Sequence, residues 1–307
     1  MLNNKPNISI CICTFKRPHL LWNLLNRLKH LITRDLFTYS IIVVDNDMLQ
    51  SAKHIVNKFK SETEIDISYS VEKEQNIALA RNKAIMQATG DFIAFIDDDE
   101  MPEQSWLLNL FLTIKKYETD GVLGPVLSYF EEQPPKWVKR GRFFERPRYK
   151  TGHILNWKET RTGNVLIKKT VFLKNNNWFR KEYGSGGEDR DFFSRKINEG
   201  FTFIWCDEAK VYEIIPKSRC NLLIQIERAI IRGRVALIRD RNNLKNLITS
   251  GFALGIYSLS LPLLLFLSPL IGFEFFARYL ISFFDHLSKI IHFLGLKIIR
   301  QRYIITS

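Results

Sequence analysis

The sequence predicts an α/β fold, with a mostly parallel central sheet carrying helices on both faces and an apolar helical appendage after it. Three observations predict it. Short apolar runs alternate with helix-length amphipathic stretches four times in the first 117 residues. Several of the runs are almost continuous in Ile, Val, Phe and Cys, as strands covered on both faces require. The last third then changes character, because residues 246–273 contain no charged side chain.

The elements follow in order. Residues 8–14 (I-S-I-C-I-C-T) alternate toward a strand, and Pro18 suits the first turn of a helix over 18–32. Residues 39–44 make a second strand ending at Asp45-Asn46-Asp47, a helix follows over 51–60, and residues 65–71 make a third strand. Residues 76–88 read as a helix with Asn76 at its cap and Gly90 as its breaker. A fourth strand covers 92–96 and a helix 103–116. Beyond Gly121 the pattern predicts a strand over 122–129, a Pro-bearing loop over 131–150, a strand over 162–167 and a helix over 169–175. The glycines of Y-G-S-G-G-E-D-R-D-F-F (183–193) allow a tight turn into a helix whose first turn holds Glu188 and Asp189. Strands are expected over 201–205 and 210–215.

The chemistry concentrates at residues 90–100, G-D-F-I-A-F-I-D-D-D-E. Here a buried strand runs into Asp97, Asp98, Asp99 and Glu100, whose charges repel one another. A divalent cation relieves that repulsion, since Mg²⁺-type ions share one or two carboxylates with a substrate phosphate. In open α/β sheets ligands sit beyond the carboxyl ends of the strands, where this cluster falls. The alternative is a solvated acidic turn.

Composition narrows the field. Hydrophobic residues make up 46% and aromatics 13% of 307 residues, which suits a globular core. The net charge of +13 is unevenly spread: residues 1–100 carry 12 Lys and Arg against 13 Asp and Glu, whereas residues 217–307 carry 13 against 4. Basic excess within the most apolar third favours an anionic membrane surface over nucleic acid. The basic–aromatic stretch within 136–150 lies in no nucleic-acid-binding module, so no nucleic-acid partner is expected. Cys11, Cys13, Cys206 and Cys220 form no C-x-x-C pair, and the six histidines show no ligand spacing. Residues 1–7 are polar and the first apolar run is a strand, so no cleavable signal is expected. Trp157 and Trp178 suit either sugar stacking or the core; Arg219, Arg228, Arg232 and Arg234 suit either a diphosphate clamp or a basic helix face.

Taken together, I-S-I-C-I-C-T-F-K-R-P, V-V-D-N-D, the A-R-N helix, I-D-D-D, T-G-N-V-L-I and G-G-E-D-R-D-F resemble, in order and spacing, the inverting glycosyltransferases of family 2 with the GT-A fold. The later V-Y-E-I-I-P-K-S-R and I-E-R-A-I-I-R-G-R further resemble the succinoglycan-type enzymes that build bacterial surface polysaccharides. The resemblance implies roles. Thr14, Arg17 and Asp45, with Asp47, match positions that hold the nucleotide of the sugar donor, usually UDP, and Arg81 lies on a helix that contacts base or phosphate. Asp97 matches the first aspartate of the family's D-x-D, toward ribose or the metal shell. Asp99 matches the ligand of Mn²⁺ or Mg²⁺. Asp189 matches the catalytic base and Glu188 its acceptor-binding neighbour. Glu213 stands where many relatives carry a histidine metal ligand; a glutamate also coordinates a hard cation.

The expected organisation is a catalytic domain over 1–216, a basic juxtamembrane helical segment over 217–245 and membrane-associated helices over 246–307. Residues 246–273 are long enough to cross a bilayer, but Pro262 and Pro269 also suit a broken or re-entrant helix. Basic residues flank the apolar tail on both sides (residues 228–245; Lys297, Arg300 and Arg302), which favours a hairpin or in-plane arrangement at the cytoplasmic face. A buried hairpin of a soluble protein is the alternative. The resemblance thus implies a membrane-associated transferase using a nucleotide sugar and a divalent cation to extend a glycan, lipid-linked in its subset. Its alternatives are a polyprenyl-phosphate glycosyltransferase and an inactive assembly subunit.

Overall fold

The structure, a computed structural model, describes residues 5–173, 177–184, 186–239 and 244–296. The chain forms two compact units, one of Met1–Tyr129, Arg146–Gly184 and Glu188–Ile214, the other of Phe130–Glu145, Ser185–Gly187 and Ile215–Ser307. In chain order the first part runs β1 (Asn7–Thr14), α1 (Pro18–Leu28), β2 (Thr38–Asp45), α2 (Lys53–Ser61), β3 (Ile67–Val71), α3 (Ile77–Gln87), β4 (Phe92–Ile96), β5 (Glu100–Pro102) and α4 (Trp106–Tyr117). There follow β6 (Gly121–Leu123), β7 (Val126–Phe130), α5 (Lys136–Arg140), β8 (Asn164–Lys168), α6 (Glu188–Asn198), β9 (Phe203–Trp205), β10 (Val211–Ile215), α7 (Leu222–Arg239), α8 (Leu244–Ile271) and α9 (Phe273–Phe293).

The main sheet has the order β3-β2-β1-β4-β8-β6-β9. β1 is parallel to β2 and β4, β2 to β3, and β6 to β9; β8 alone runs antiparallel to its neighbours β4 and β6. This is the mostly parallel sheet the alternation predicted. The period of two sorts the core of the first unit. Ile8, Ile10 and Ile12 of β1 join Leu21, Leu24 and Leu25 of α1 and Trp106 and Leu110 of α4 in one apolar cluster. Cys11 of β1 joins Ile42, Val44 and the alanines of α3 in another. Each fully buried Ile or Leu contributes about 1.5–3 kcal/mol relative to exposure. The alanines let α3 lie close to the sheet, which brings Arg81 within reach of the strand ends.

Several boundaries differ from expectation. α1 stops at Leu28 rather than residue 32. The strand predicted over 122–129 is two strands in different sheets: Pro125 has no N–H with which to continue β6, and the Asn164 side chain bridges the carbonyls of Pro125 (3.0 Å) and Ala209 (2.7 Å). The Pro-bearing loop contains α5. Where a helix was expected over 169–175, a 3-10 turn covers Lys169–Phe172, and residues 174–175 lie outside the described residues. The unpredicted β5 pairs antiparallel with β10, setting Glu100 opposite Glu213.

In the second unit Val138, Ile215 and Cys220 form a small core with Phe130, Trp137 and Phe144. α9 packs against both α7 and α8. The charge-free stretch is one continuous helix, α8, through Pro262 and Pro269, so the broken alternative is not what forms. The basic residues Lys297, Arg300 and Arg302 lie outside the described residues.

Candidate active site

Parallel pairing puts the C-terminal ends of β1, β2 and β4 side by side, with Thr14 in register with Asp45 and the aspartates just past β4. Thr14 Oγ1 donates to Asp98 Oδ2 at 2.7 Å. Arg17, directly before α1, holds Nη1 3.3 Å from Asp98 Oδ1 and 3.3 Å from Asp99 Oδ2. Arg81 of α3 places Nη2 3.3 Å from Asp97 Oδ1 and donates through Nη1 to Glu188 Oε1 at the start of α6. Six of the sequence-derived residues thus fall into two bonded groups at the carboxyl ends of the strands: Thr14, Arg17 and Asp99 are joined through Asp98 and Arg17, and Arg81 joins Asp97 to Glu188.

Local structure explains the approach. Asn76 caps α3 by accepting from the N–H groups of Ala78 (3.0 Å) and Leu79 (3.2 Å), which fixes the start of the helix that carries Arg81. Gly186 and Gly187 take φ of +127° and +91°, turning the chain into α6 so that Glu188 and Asp189 open the helix. Gly163 lies against the acidic row: a Cβ there would stand 2.6 Å from Glu100 Oε1 and 3.1 Å from Asp97 Oδ2.

Charge balance at this edge is strained. Burial, reinforced by the negative charges of Asp98, Glu213 and Asp97, pushes the Asp99 carboxyl up to about 7 against a partial counter-effect from Arg17. Burial also raises Glu100 well above the carboxylate range. Glu188 is raised to about 7 because desolvation outweighs the attraction of Arg81, and its buried Oε2 has no hydrogen-bond partner among the described residues. Nearby, burial and then the charges of Arg146 and Arg190 lower Arg161 to about 10, while Asp189 and Glu100 oppose that shift.

The remaining candidates sit differently. Asp45 is fully buried, and its carboxylate accepts from Asp47 N (3.0 Å), Ala52 N (2.8 Å) and Tyr69 Oη (2.9 Å). Asp47 accepts from Leu49 N at 3.2 Å, so both carboxylates shape the turn after β2. Asp189 is partly exposed, with Oδ1 accepting from Arg190 N at 2.7 Å, and no hydrogen bond described ties it to the buried network, although its charge helps raise the neighbouring Glu188. Glu213 is ion-paired with Arg146 and lies close enough to Asp99 to raise it. Trp178 belongs to the core, its Nε1 donating to Phe172 O at 2.9 Å.

Asp98, Glu100, Arg146 and Arg161 were not singled out from the sequence as binding residues. Asp98 had a legible signal in its place between Asp97 and Asp99; it accepts from Thr14 and shares Arg17 with Asp99. The two arginines carry none, because only the fold brings them to the acidic row.

Among the described residues, no three His, Cys, Asp or Glu side chains converge into a ready-made metal cage. The donor set nevertheless fits a hard cation. Asp99 is a half-buried oxygen donor with surplus negative charge around it, and Mg²⁺ or Mn²⁺ in such sites takes one or two carboxylates and completes its shell with water and substrate phosphate.

Residues 9–178 match the profile of a family described as Glycosyl transferase family 2. The chain is 34% identical over 239 residues to the succinoglycan biosynthesis protein ExoM of Rhizobium meliloti, covering 76% of this chain and 75% of that protein. Its fold is similar to that of TarS residues 1–349 from S. aureus, solved with UDP (TM-score 0.53, 14% identity, 96% and 95% of the two chains). It is similar also to the mannosyltransferase PcManGT of Pyrobaculum calidifontis, solved with GDP-Man and Mn²⁺ (TM-score 0.62, 15% identity, 94% and 88%).

Proposed function

The chain belongs to glycosyl transferase family 2, and on that premise we propose that this glycosyltransferase moves a sugar from a nucleotide sugar, UDP-sugar favoured, to a hydroxyl of a lipid-linked glycan with inversion. The setting is surface polysaccharide biosynthesis at the cytoplasmic face of the membrane, in line with the resemblance to a succinoglycan biosynthesis protein. The observation that carries this reading is the acidic row after β4, met by Thr14, Arg17 and Arg81 at the strand ends, with Asp189 outside that network.

Thr14, Arg17, Arg81 and Asp97, with the turn built by Asp45 and Asp47, receive the nucleotide. Asp99, assisted by Asp97 and Glu213, holds a divalent cation. Once bound, the cation supplies Lewis-acid stabilisation of the negative charge on the leaving diphosphate. Arg17 adds positive charge on the same side. Asp189 takes the proton of the acceptor hydroxyl as that oxygen forms its bond to the anomeric carbon, and the bond to the diphosphate breaks with its electron pair. Attack from the face opposite the diphosphate inverts the centre. Glu188, held by Arg81, turns its unpartnered Oε2 to a hydroxyl of the acceptor.

Asp189→Asn tests the assignment. Transfer should fall by about 10²–10⁴-fold while donor affinity, measured calorimetrically with Mn²⁺, stays within a small factor of wild type. Retained turnover would remove Asp189 from the mechanism.

A further inference from the structure

The second unit carries a surface that the reaction does not use. Along α8 the side chains of Ile248, Phe252, Ile256, Leu259, Leu263, Phe266 and Leu270 recur every three to four residues and are 53–84% exposed. Together they make one apolar ridge running the length of the helix. The opposite side of α8 packs on α9, where Ser250 Oγ lies 3.0 Å from His286 Nδ1 and the Tyr257 ring stands edge-on to Tyr279.

Length and composition alone would let α8 cross a bilayer. Its partners argue against it. On α9, Asp285 lies next to His286, level with the turns of α8 that carry Ser250 and Tyr257, and it pairs with Lys289 at 2.6 Å. α7 is locked onto the same stretch of α9. A Cβ at Gly233 would stand 2.3 Å from the Asp285 carbonyl, Ser288 Oγ donates to Ile230 O at 2.6 Å, and Arg232 Nε lies 3.9 Å from Asp285 Oδ1. An upright α8 would therefore draw α9 and α7, with Arg232, Asp285 and Lys289, into hydrocarbon. Such charges are tolerated at membrane depth only along an aqueous cavity or bundle interior. Pro262 also withdraws the N–H that would reach the Ser258 carbonyl, an omission water satisfies more readily than lipid.

We propose that α8 lies flat in one leaflet of an anionic phospholipid bilayer, its ridge among the acyl chains and α9 and α7 on the aqueous side. A helix of 28 residues then runs about 42 Å along the surface. Charge complements the leaflet. Residues 217–307 carry 13 basic against 4 acidic side chains, and the Trp137–Phe273 contact (6.0 Å between ring centres) brings α5, with Lys136, Lys139 and Arg140, to the α8–α9 turn. Basic residues beside an interfacial helix attract anionic headgroups.

The test adds the full chain to preformed vesicles, either phosphatidylcholine alone or an equimolar mixture with phosphatidylglycerol. Single cysteines replace Lys245 and Glu274, at the two ends of α8, and an impermeant maleimide is applied from outside. The expected result is flotation with the mixed vesicles, much reduced on pure phosphatidylcholine, and labelling of both cysteines from outside. The combined variant Phe252→Ser, Leu259→Ser, Phe266→Ser should lose flotation while keeping donor hydrolysis, which reports that it has folded. Protection of one end until the vesicles are opened would mean a crossing and would overturn the proposal. So would a ridge that is covered by a second copy of the chain and leaves the protein unbound to mixed vesicles.

Discussion

At Asp99 folding tolerates a carboxylate that burial and three like charges disfavour. Its folded pKa of about 7 lies above the ordinary carboxylate value, so the folded chain holds an extra proton between about pH 4 and 7. The stability associated with that proton is present at low pH and lost as pH rises through about 7, and Glu188 acts in the same direction. Metal-free protein should therefore be less stable at pH 8 than at pH 5.5. Asp99→Asn should raise its stability at pH 8 by roughly 1–3 kcal/mol in urea denaturation and flatten the pH slope. A wild-type stability that rises steadily over this range would contradict the charge assignment. If Asp99 ligates the cation as proposed, cation affinity should fall as pH drops below about 7, since a ligating carboxylate must lose its proton. Much of this was legible in the sequence, because three aspartates closing an apolar strand pose the electrostatic problem on their own. The roles of Arg146 and Arg161 were not, since neither has a neighbour in sequence that hints at the acidic row.

Among the elements, α3 and α6 carry the side chains that meet the sheet edge. Asn76→Ala removes the two cap bonds of α3 and the bond from Asn76 Nδ2 to Lys181 O (2.9 Å). A loss of about 1–2 kcal/mol of unfolding free energy is expected. Donor KM should rise more than kcat falls, because the proposed role of Arg81 is to bind the donor rather than to react. Gly163→Ala should act through the acidic row: the added methyl crowds Glu100 and Asp97, and donor affinity should fall while the far-UV spectrum is kept. Helix starts were readable where a cap or a proline marks them, as at Asn76 and Pro18. The two strands flanking Pro125 were not separable from an apolar run alone, because their assignment to different sheets depends on Asn164, distant in sequence. β5 was missed for a similar reason: three residues gain strand geometry only by pairing with β10.

For the chain as a whole, charge follows chemistry. Residues 1–100 are nearly neutral and hold the acidic row, whereas the basic excess lies in the apolar last third. The alternation of strands and helices made the sheet readable, since period and length decide those elements locally. The tail was less readable. A charge-free run of this length suits a crossing, a re-entrant segment or a surface helix equally, and the packing of α9 between α7 and α8 is the observation from which the surface arrangement is proposed. The claim on which the functional account rests is that the aspartates after β4 hold a cation together with the donor's diphosphate. The most direct measurement is a screen of nucleotide sugars for hydrolysis by the purified chain, with Mn²⁺ or Mg²⁺ and with a chelator, repeated on Asp99→Ala. The account predicts at least one donor hydrolysed only when the metal is present, with the activity absent from Asp99→Ala. Hydrolysis unaffected by the chelator and by that substitution would contradict it.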